Sequence, residues 1–347
     1  MQSNSHTIPD AQTLRHAVGW LDLSTRDRLC LIGGDRQRFL NGQVTNNVRD
    51  LSPNTGCYSL IVNNKGIIEG DTMVYQLADE LLLDLEPDQA SAVSARLTSY
   101  IVSDDVEVVD VTEAFKLISI QGPHTPEAIA KLNPQFDQPI PTEPNKIALI
   151  SETDEGGIYA ANHPRCGTAG VDFFLSQERT PAFKAVVESA IKDLGGKECS
   201  TAGLDVVRIE AGIPKFPIDM TPSVLAPELK QEGKSISYTK GCYIGQEVIN
   251  RIKSIGNVKR QLIGVTFEMP EDGPPLAGSR IAQSDREVGW LGSVAFSDAL
   301  GKGIALALMK CAAIESGTDL TIKGPEGSTP IPAKISVLPF LKPAEGK

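Results

Sequence analysis

The sequence predicts an α+β protein whose C-terminal part is a small β-barrel. Between residues 72 and 111, two strand-like runs, a helical run and a third strand-like run follow one another, which is typical of a sheet backed by a helix. Beyond Arg260, helical patterns fade and short strand-like runs alternate with Gly and Pro turns, which is typical of a small barrel or sandwich. We therefore expect two domains, an α+β region over 1–257 and a β-barrel over 258–347.

The N-terminal elements follow from the spacing of apolar residues. The predicted elements are strands at 28–34, 72–77, 81–86 and 106–111 and helices that open at Asp35 and Asp88. The second and third strands form a hairpin, because a short polar turn separates them. The helix after Asp88 follows from four apolar residues at helical spacing, Ala90, Val93, Leu97 and Ile101. The strand–strand–helix–strand run between 72 and 111 predicts a ferredoxin-like layer at about 50–115 within the first domain.

Two further helices are marked by their ends. The first covers 180–196, with Thr180 as its cap and Gly195 as its stop. The second begins near Ser200 and stops at Gly212. Both helices belong to the predicted α+β region, which therefore extends well beyond the first layer.

Composition excludes several classes of protein. The net charge of −11 over 347 residues disfavours binding to nucleic acid and to anionic membranes, so an anionic ligand needs a local basic pocket. No apolar run approaches the ~18 residues of a membrane span, and the N-terminus lacks the pattern of a targeting signal. The six cysteines form no C-x-x-C pair and there are four histidines, so we expect neither a metal site nor a disulfide framework. We expect a cytoplasmic protein, and a monomer because no coiled coil or exposed apolar stripe is evident.

The stretch KGCYIGQEVINR, residues 240–251, places a cysteine at the mouth of a helix. Apolar residues at helical spacing predict that helix over about 245–255. The free N–H groups at its start and the neighbouring Lys240 both favour an anion, so they would lower the pKa of the Cys242 thiol. The other interpretation is that Cys242 packs beneath the turn. The physical pattern alone leaves both interpretations open.

This stretch resembles the signature of the YgfZ-type folate-binding proteins, paralogues of the glycine-cleavage T protein, an aminomethyltransferase. The matching residues are Lys240, Gly241, Cys242, Tyr243, Gly245, Gln246 and Glu247. The resemblance implies a T-protein-like folate-binding core and a C-terminal barrel around a central cavity that holds tetrahydrofolate. It also implies an accessory role for iron–sulfur enzymes, with client or assembly proteins as partners. Cys242 would then be the functional thiol, tuned by Lys240. The three residues Gly241, Gly245 and Gln246 would shape the loop, and Glu247 would cap the helix.

Three other segments resemble the same two branches. The run FLNGQVTNNV (39–48) is similar to the N-terminal segment of the family. In GTAGVDFFL, Asp172 stands where the T protein has an acidic residue that binds the pterin. In DVVRIEAGIP, the resemblance implies that Glu210 accepts hydrogen bonds from the pterin and that Arg208 binds the folate or its glutamate tail. The alternative for these last two residues is a solvated helix end with an Arg–Glu pair.

The segment NNKGIIEGDTMVYQ (63–76) bears on whether the protein is an enzyme. The T protein has two adjacent aspartates here, one of them catalytic and beside the folate, and they align with Gly70 and Asp71. Asp71 is therefore a candidate catalytic and folate-binding residue, or else a solvated residue at the start of a strand. The runner-up function is a tetrahydrofolate-dependent aminomethyltransferase or methyltransferase in which Asp71 steers the amine. A third option is a folate sensor without catalytic activity.

Overall fold

Two β-sheets, the helices that cover them and a closed β-barrel make up the described structure. The computed structural model describes residues 7–256, 258–271, 273–316, 319–324 and 329–342. The helices are α1 (Pro9–His16), α2 (Arg36–Gln43), α3 (Ala90–Ser99), α4 (Thr125–Leu132), α5 (Thr180–Lys192), α6 (Thr201–Glu210), α7 (Glu232–Ser235), α8 (Gln246–Ile255) and α9 (Cys311–Ser316). Short 3₁₀ helices cover Asn133–Gln135 and Ala226–Leu229. The strands of the two sheets are β1 (Gly19–Asp22), β2 (Asp27–Ile32), β3 (Thr55–Val62), β4 (Ile68–Gln76), β5 (Leu81–Leu85), β6 (Glu107–Asp110), β7 (Lys116–Gln121), β8 (Ile147–Thr153), β9 (Gly156–Asn162), β10 (Gly170–Leu175) and β11 (Lys197–Glu198). The strands of the barrel are β12 (Arg260–Phe267), β13 (Arg280–Gln283), β14 (Arg286–Ser297), β15 (Lys302–Lys310), β16 (Leu320–Lys323) and β17 (Ile331–Ser336).

The first sheet has five antiparallel strands in the order β3-β4-β5-β2-β6. Its outer face packs against α2 and α3, because Leu40 and Val93 join the apolar side chains of the strands in one buried cluster. The predicted hairpin is present as β4 and β5, and the helix predicted after Asp88 is α3.

The second sheet has six strands in the order β11-β1-β7-β10-β9-β8, and only β11 pairs in parallel within it among the described residues. Helices α4 and α5 cover its outer face, where the rings of Phe173 and Phe183 lie 4.9 Å apart. The inner faces of the two sheets meet in one apolar cluster, in which Tyr75 and Phe174 make an edge-to-face contact at 6.0 Å. Face-to-face packing of this kind buries the apolar side of each sheet.

The barrel closes in the order β12-β15-β14-β13-β16-β17, and β17 pairs again with β12. The expected fold class is therefore present, an α+β core followed by a C-terminal six-stranded β-barrel. The division of the chain into domains at 257/258 stays a prediction.

The starts of three helices can be compared with the predictions, which are correct for one helix and wrong for the caps of the other two. The predicted start of α6 near Ser200 is confirmed, and the structure adds that Ser200 is its cap, since its hydroxyl accepts a hydrogen bond from the Gly203 N–H at 3.2 Å. Thr180 is the first residue of α5 rather than its cap, and its hydroxyl donates to the Ser176 carbonyl oxygen at 2.9 Å. Glu247 lies inside the first turn of α8 and pairs with Arg251 at 2.7 Å, so the expected cap is wrong.

No helix in the described ranges is a candidate for a membrane span. Each helix there is too short or too polar to cross a bilayer.

Candidate functional site

A cavity of about 570 Å³ lies where the two sheets, α6 and the segment 231–234 meet. Its wall includes Tyr58 and Asp71 from the β3–β4 hairpin, Asp84 from β5, and Arg165 from the loop between β9 and β10. This volume lies within the range of pockets that hold small molecules, about 300–1,000 Å³. The cavity is therefore the candidate ligand site.

Asp71 is a half-buried carboxyl on this wall. The Tyr58 hydroxyl donates a hydrogen bond to its Oδ2 atom at 2.8 Å. Loss of hydration in the cavity, followed by the nearby Glu86 carboxylate, raises the pKa of Asp71 from 3.8 to about 7. A carboxyl with this pKa exchanges its proton near neutral pH. Asp71 therefore lies within β4 and on the cavity wall rather than at the start of the strand.

A chain of buried ion pairs forms the back of the cavity. Arg26 pairs with Asp84 at 2.8 Å and with Glu86, and Arg165 pairs with Asp84 at 2.7 Å. Burial would raise the pKa of Asp84, but the two neighbouring guanidinium groups hold it well below its ordinary value. The wall therefore keeps fixed charges of both signs at neutral pH, which orients polar groups of a ligand without reorganisation.

Asp172 supports this wall from behind. It is fully buried, and both of its carboxylate oxygens accept hydrogen bonds from Arg165, the shortest at 2.7 Å. Ser119 donates to it at 2.7 Å, and the His163 Nδ1 atom lies 3.1 Å away. Asp172 is not among the residues that line the cavity. Its expected role as a direct pterin ligand stays a prediction, while its contacts fix the position of Arg165.

Ligand atoms of Asp84, His163 and Asp172 lie within 4.8 Å of one another, a spacing at which three residues can hold a metal ion. The Arg165 Nη2 atom lies 2.7 Å from both carboxylates of this trio. The guanidinium therefore already supplies the positive charge between them, and this donor set does not fit a metal.

Arg208 and Glu210 are both buried, so the alternative of a solvated helix end is wrong. Arg208 lines the cavity, but its guanidinium donates to Asp205 at 2.6 Å and to the barrel residue Ser293 at 2.7 Å. Glu210 lies off the cavity wall and accepts two hydrogen bonds from Arg15, at 2.9 and 3.0 Å. These contacts join α6 to its neighbours, and the roles of both residues as folate ligands stay predictions.

The signature 240–247 lies outside the cavity wall. Cys242 is exposed, as is Gly241, so Cys242 does not pack beneath the turn. Lys240 is buried, and no hydrogen bond joins it to Cys242 in the described part of the chain. Burial lowers the pKa of Lys240 to about 7. Its side-chain nitrogen donates to main-chain oxygens, and the expected tuning of the thiol by Lys240 stays a prediction.

The rest of the signature shapes the backbone. The buried ring of Tyr243 lies 4.8 Å from the Lys240 Nζ atom. Gly245 has a φ of +81° and precedes Gln246, the first residue of α8. A Cβ atom at Gly245 would lie 2.5 Å from the Asn63 carbonyl oxygen, so only glycine fits there.

Sequence reasoning missed four of the wall residues, Tyr58, Arg26, Asp84 and Arg165. Asp84 carries a signal, because it is a single charge within the apolar run LLLDL. A buried charge needs a partner, so Asp84 predicts a nearby cation. The sequence does not show that the partners are Arg26 and Arg165, because one precedes Asp84 by 58 positions and the other follows it by 81.

Both parts of the chain match domains of the same protein family. Residues 2–230 match the GCVT N-terminal domain, and residues 260–342 match the glycine cleavage T-protein C-terminal barrel domain. The chain therefore belongs to the glycine cleavage T-protein family.

Individual relatives carry the name aminomethyltransferase. The protein from Aquifex aeolicus is 29% identical over 318 residues, which cover 91% of this chain and 82% of the relative. The protein from Desulforamulus reducens is 26% identical over 344 residues, which cover 96% and 90%. Among solved structures, the glycine cleavage system aminomethyltransferase T from Bartonella henselae superposes with a TM-score of 0.82 at 17% identity. That superposition covers 97% of this chain and 90% of the other, and it establishes the likeness of fold.

The narrower resemblance to the YgfZ branch is not confirmed by these matches. The relatives are named for aminomethyl transfer, and an iron–sulfur role finds no support among them. Of the two functions that the sequence suggested, the matches favour the one that was ranked second.

Proposed function

We propose that this protein is a tetrahydrofolate-dependent aminomethyltransferase of the T-protein type, with the folate in the cavity. The observation that carries the proposal is Asp71, a carboxyl on the cavity wall with a pKa of about 7 and a fixed hydrogen bond from Tyr58. The names of the relatives support the same reaction class.

The hydrogen-bond acceptors of the wall fit a reduced pterin. The 2-amino and N3–H groups of a pterin are donors, and a carboxylate offers about four acceptor sites. Tyr58 donates to the Oδ2 atom of Asp71, and among the described residues Arg208 and Lys215 contact Asp205 through its Oδ1 atom. Both carboxyls therefore retain acceptor capacity toward the cavity. When bound, tetrahydrofolate would supply the nitrogen atoms that accept the one-carbon unit.

Asp71 would serve as general base and general acid in this reaction. In its ionised form it accepts a proton from an amine held against the wall, and in its protonated form it returns one to the departing amine. Tyr58 keeps the carboxyl in one orientation through the 2.8 Å hydrogen bond. The ion pairs of Arg26 and Arg165 with Asp84 hold the wall behind it.

The test is transfer of a one-carbon unit from an aminomethyl donor to tetrahydrofolate, followed as formation of 5,10-methylenetetrahydrofolate. For Asp71→Asn we expect a rate that is about 10²–10⁴-fold lower at saturating folate, because the amide keeps an oxygen acceptor for the pterin but cannot exchange a proton. Asp79→Asn is the matched control, because Asp79 is an exposed acid in the turn between β4 and β5. A full rate in Asp71→Asn, or no transfer by the natural sequence, would refute the proposal.

A second candidate is the accessory role for iron–sulfur enzymes. The observation that favours it is the exposed Cys242 within the signature, away from the cavity wall. Its test is rescue of iron–sulfur enzyme activity in a deletion strain by the natural sequence and by Cys242→Ala. Equal rescue by both would remove Cys242 from that role. Folate binding with neither transfer nor rescue would favour the folate sensor.

A further inference from the structure

The two signature segments of the sequence, 39–48 and 240–247, are in direct contact although they lie in opposite parts of the chain. The Ile244 N–H donates to the Gly42 carbonyl oxygen at 3.1 Å. The Lys240 side chain reaches the end of α2 and the residues that follow it, here called the α2 turn (residues 41–46). The first segment therefore forms part of the environment that fixes the second.

Lys240 closes the end of α2. Its Nζ atom donates to the carbonyl oxygens of Asn41, Val44 and Asn46 at 2.6, 2.8 and 2.6 Å. The protonated side chain has three N–H donors, and all three are used. The residue is 8% exposed, which leaves water little access to replace it. Without this side chain, carbonyls at a buried helix end would lose their donor.

The α2 turn in turn holds part of the cavity rim. Asn46 lines the cavity, and its Nδ2 atom donates to the carbonyl oxygens of Tyr58 and Lys234, both at 2.9 Å. The Thr45 hydroxyl donates to the Ser235 carbonyl oxygen at 2.6 Å. Lys234 also lines the cavity. The position of the segment 231–235 therefore depends on the α2 turn.

We propose that Lys240 is a positioning residue for the cavity: its ammonium fixes the α2 turn, and through Asn46 the turn fixes the rim segment 231–235. Lys240 is not itself on the cavity wall, so it acts on a ligand only through these intermediates. Cys242 is two residues further along the chain, so the same anchor holds the loop that exposes the thiol. The choice of a folate as the probe rests on the proposed function, whereas the positioning role does not.

The test uses Lys240→Met, which keeps the length of the side chain and removes its donors, on the full chain. Amide hydrogen exchange without ligand is measured in the segments 44–47 and 231–237. We expect exchange there to accelerate at least fivefold, while exchange in the barrel strands β12 and β15 stays unchanged. Lys65→Met is the control, because Lys65 is an exposed lysine in the β3–β4 turn. Lys240→Arg, which keeps the charge and donors, should recover part of the protection.

Binding provides the second readout. With 5-formyltetrahydrofolate as the probe, we expect Kd to rise about tenfold in Lys240→Met and to stay unchanged in Lys65→Met. Natural exchange rates in the two segments of Lys240→Met, or an equal acceleration over the whole chain, would overturn the positioning role. If the natural sequence binds no folate, the proposed function fails, and hydrogen exchange alone still decides the role of Lys240.

Discussion

At the scale of single residues, the site depends on where a few charges are buried. Asp71 was predicted from a family resemblance, and the structure adds the loss of hydration in the cavity and the nearby Glu86 carboxylate that raise its pKa. Asp172 and Glu210 came from the same resemblance, yet their oxygens accept hydrogen bonds from Arg165 and Arg15. A motif indicates which residues matter, but only the three-dimensional contacts show whether a carboxylate remains free for a ligand.

The raised pKa of Asp71 predicts a pH-dependent stability. Below pH 3.8 both folded and unfolded chains hold the proton, and between 3.8 and about 7 only the folded chain retains it. Stability from this group is therefore lost as the pH rises, and the loss is complete above about pH 7. We compare the free energy of unfolding of Asp71→Asn with that of the natural sequence. We expect this difference to be roughly 2–4 kcal/mol more in favour of Asp71→Asn at pH 8 than at pH 4.

Urea unfolding of both proteins at several pH values from 4 to 8 measures this difference. Asp79→Asn should follow the natural sequence throughout, since Asp79 is exposed. A stability difference between Asp71→Asn and the natural sequence that does not vary with pH would show that Asp71 titrates normally.

At the scale of secondary structure, the elements that the sequence predicted are those with local signals, whereas most strands of the second sheet were not predicted. Apolar spacing located α3 and α8, and α6 starts near Ser200 as predicted. The position of Cys242 before α8 was also correct, because Gly245 ends the loop immediately before the helix. The contact between the α2 turn and Lys240 was not predictable in this way, because no local pattern specifies a partner so far along the chain.

Two glycines at the ends of α8 share a positive φ but differ in whether an added Cβ atom would collide with a neighbour. They therefore allow the cost of the backbone conformation to be measured separately from the cost of a steric clash. Gly245 and Gly256 have φ values of +81° and +78°, but only a Cβ atom at Gly245 would collide, at 2.5 Å from the Asn63 oxygen. Among the described residues, nothing lies within 4 Å of a Cβ atom at Gly256. We expect Gly256→Ala to cost about 1 kcal/mol and Gly245→Ala about 2–3 kcal/mol of unfolding free energy.

Urea denaturation of the two variants measures both values. Equal losses would mean that the close approach of Gly245 to the hairpin turn relaxes without cost.

At the scale of the whole molecule, the fold class was correct, while the way in which its parts are joined was not foreseen. The sequence treated Arg208 and Glu210 as ligand residues, and the structure places both in buried contacts between α6 and the barrel. Arg208 reaches Ser293, and Glu210 accepts from Ser297. Long-range polar contacts of this kind leave no periodic signal in a sequence, whereas strands and helices do.

Removal of one member of these contacts should destabilise the assembly of core and barrel. Arg15 pairs with Glu210 and with Asp298, each at 2.9 Å, and Glu210 is buried. We expect Arg15→Met to lose about 3 kcal/mol, because the Glu210 carboxylate stays buried without its guanidinium partner. Arg251→Met, which breaks an exposed pair with Glu247, should change stability little.

Thermal and urea unfolding measure the effect, and the double variant Arg15→Met/Glu210→Gln should recover part of the loss. If the double variant is less stable than Arg15→Met alone, the cost does not come from an unpaired carboxylate.

The position of Arg165 has a geometric consequence for the width of the cavity. Its Nη2 atom lies 2.7 Å from Asp84 in the first sheet and 2.7 Å from Asp172 in the second. One guanidinium therefore acts as a spacer, and the gap between the sheets at this wall is set by hydrogen-bond lengths. Apolar cores adjust their spacing to the volumes of the side chains, but a bridged charge has a fixed reach. Replacement of Arg165 by an apolar side chain would therefore leave the separation of the sheets at this wall to the packing of the apolar cluster between them.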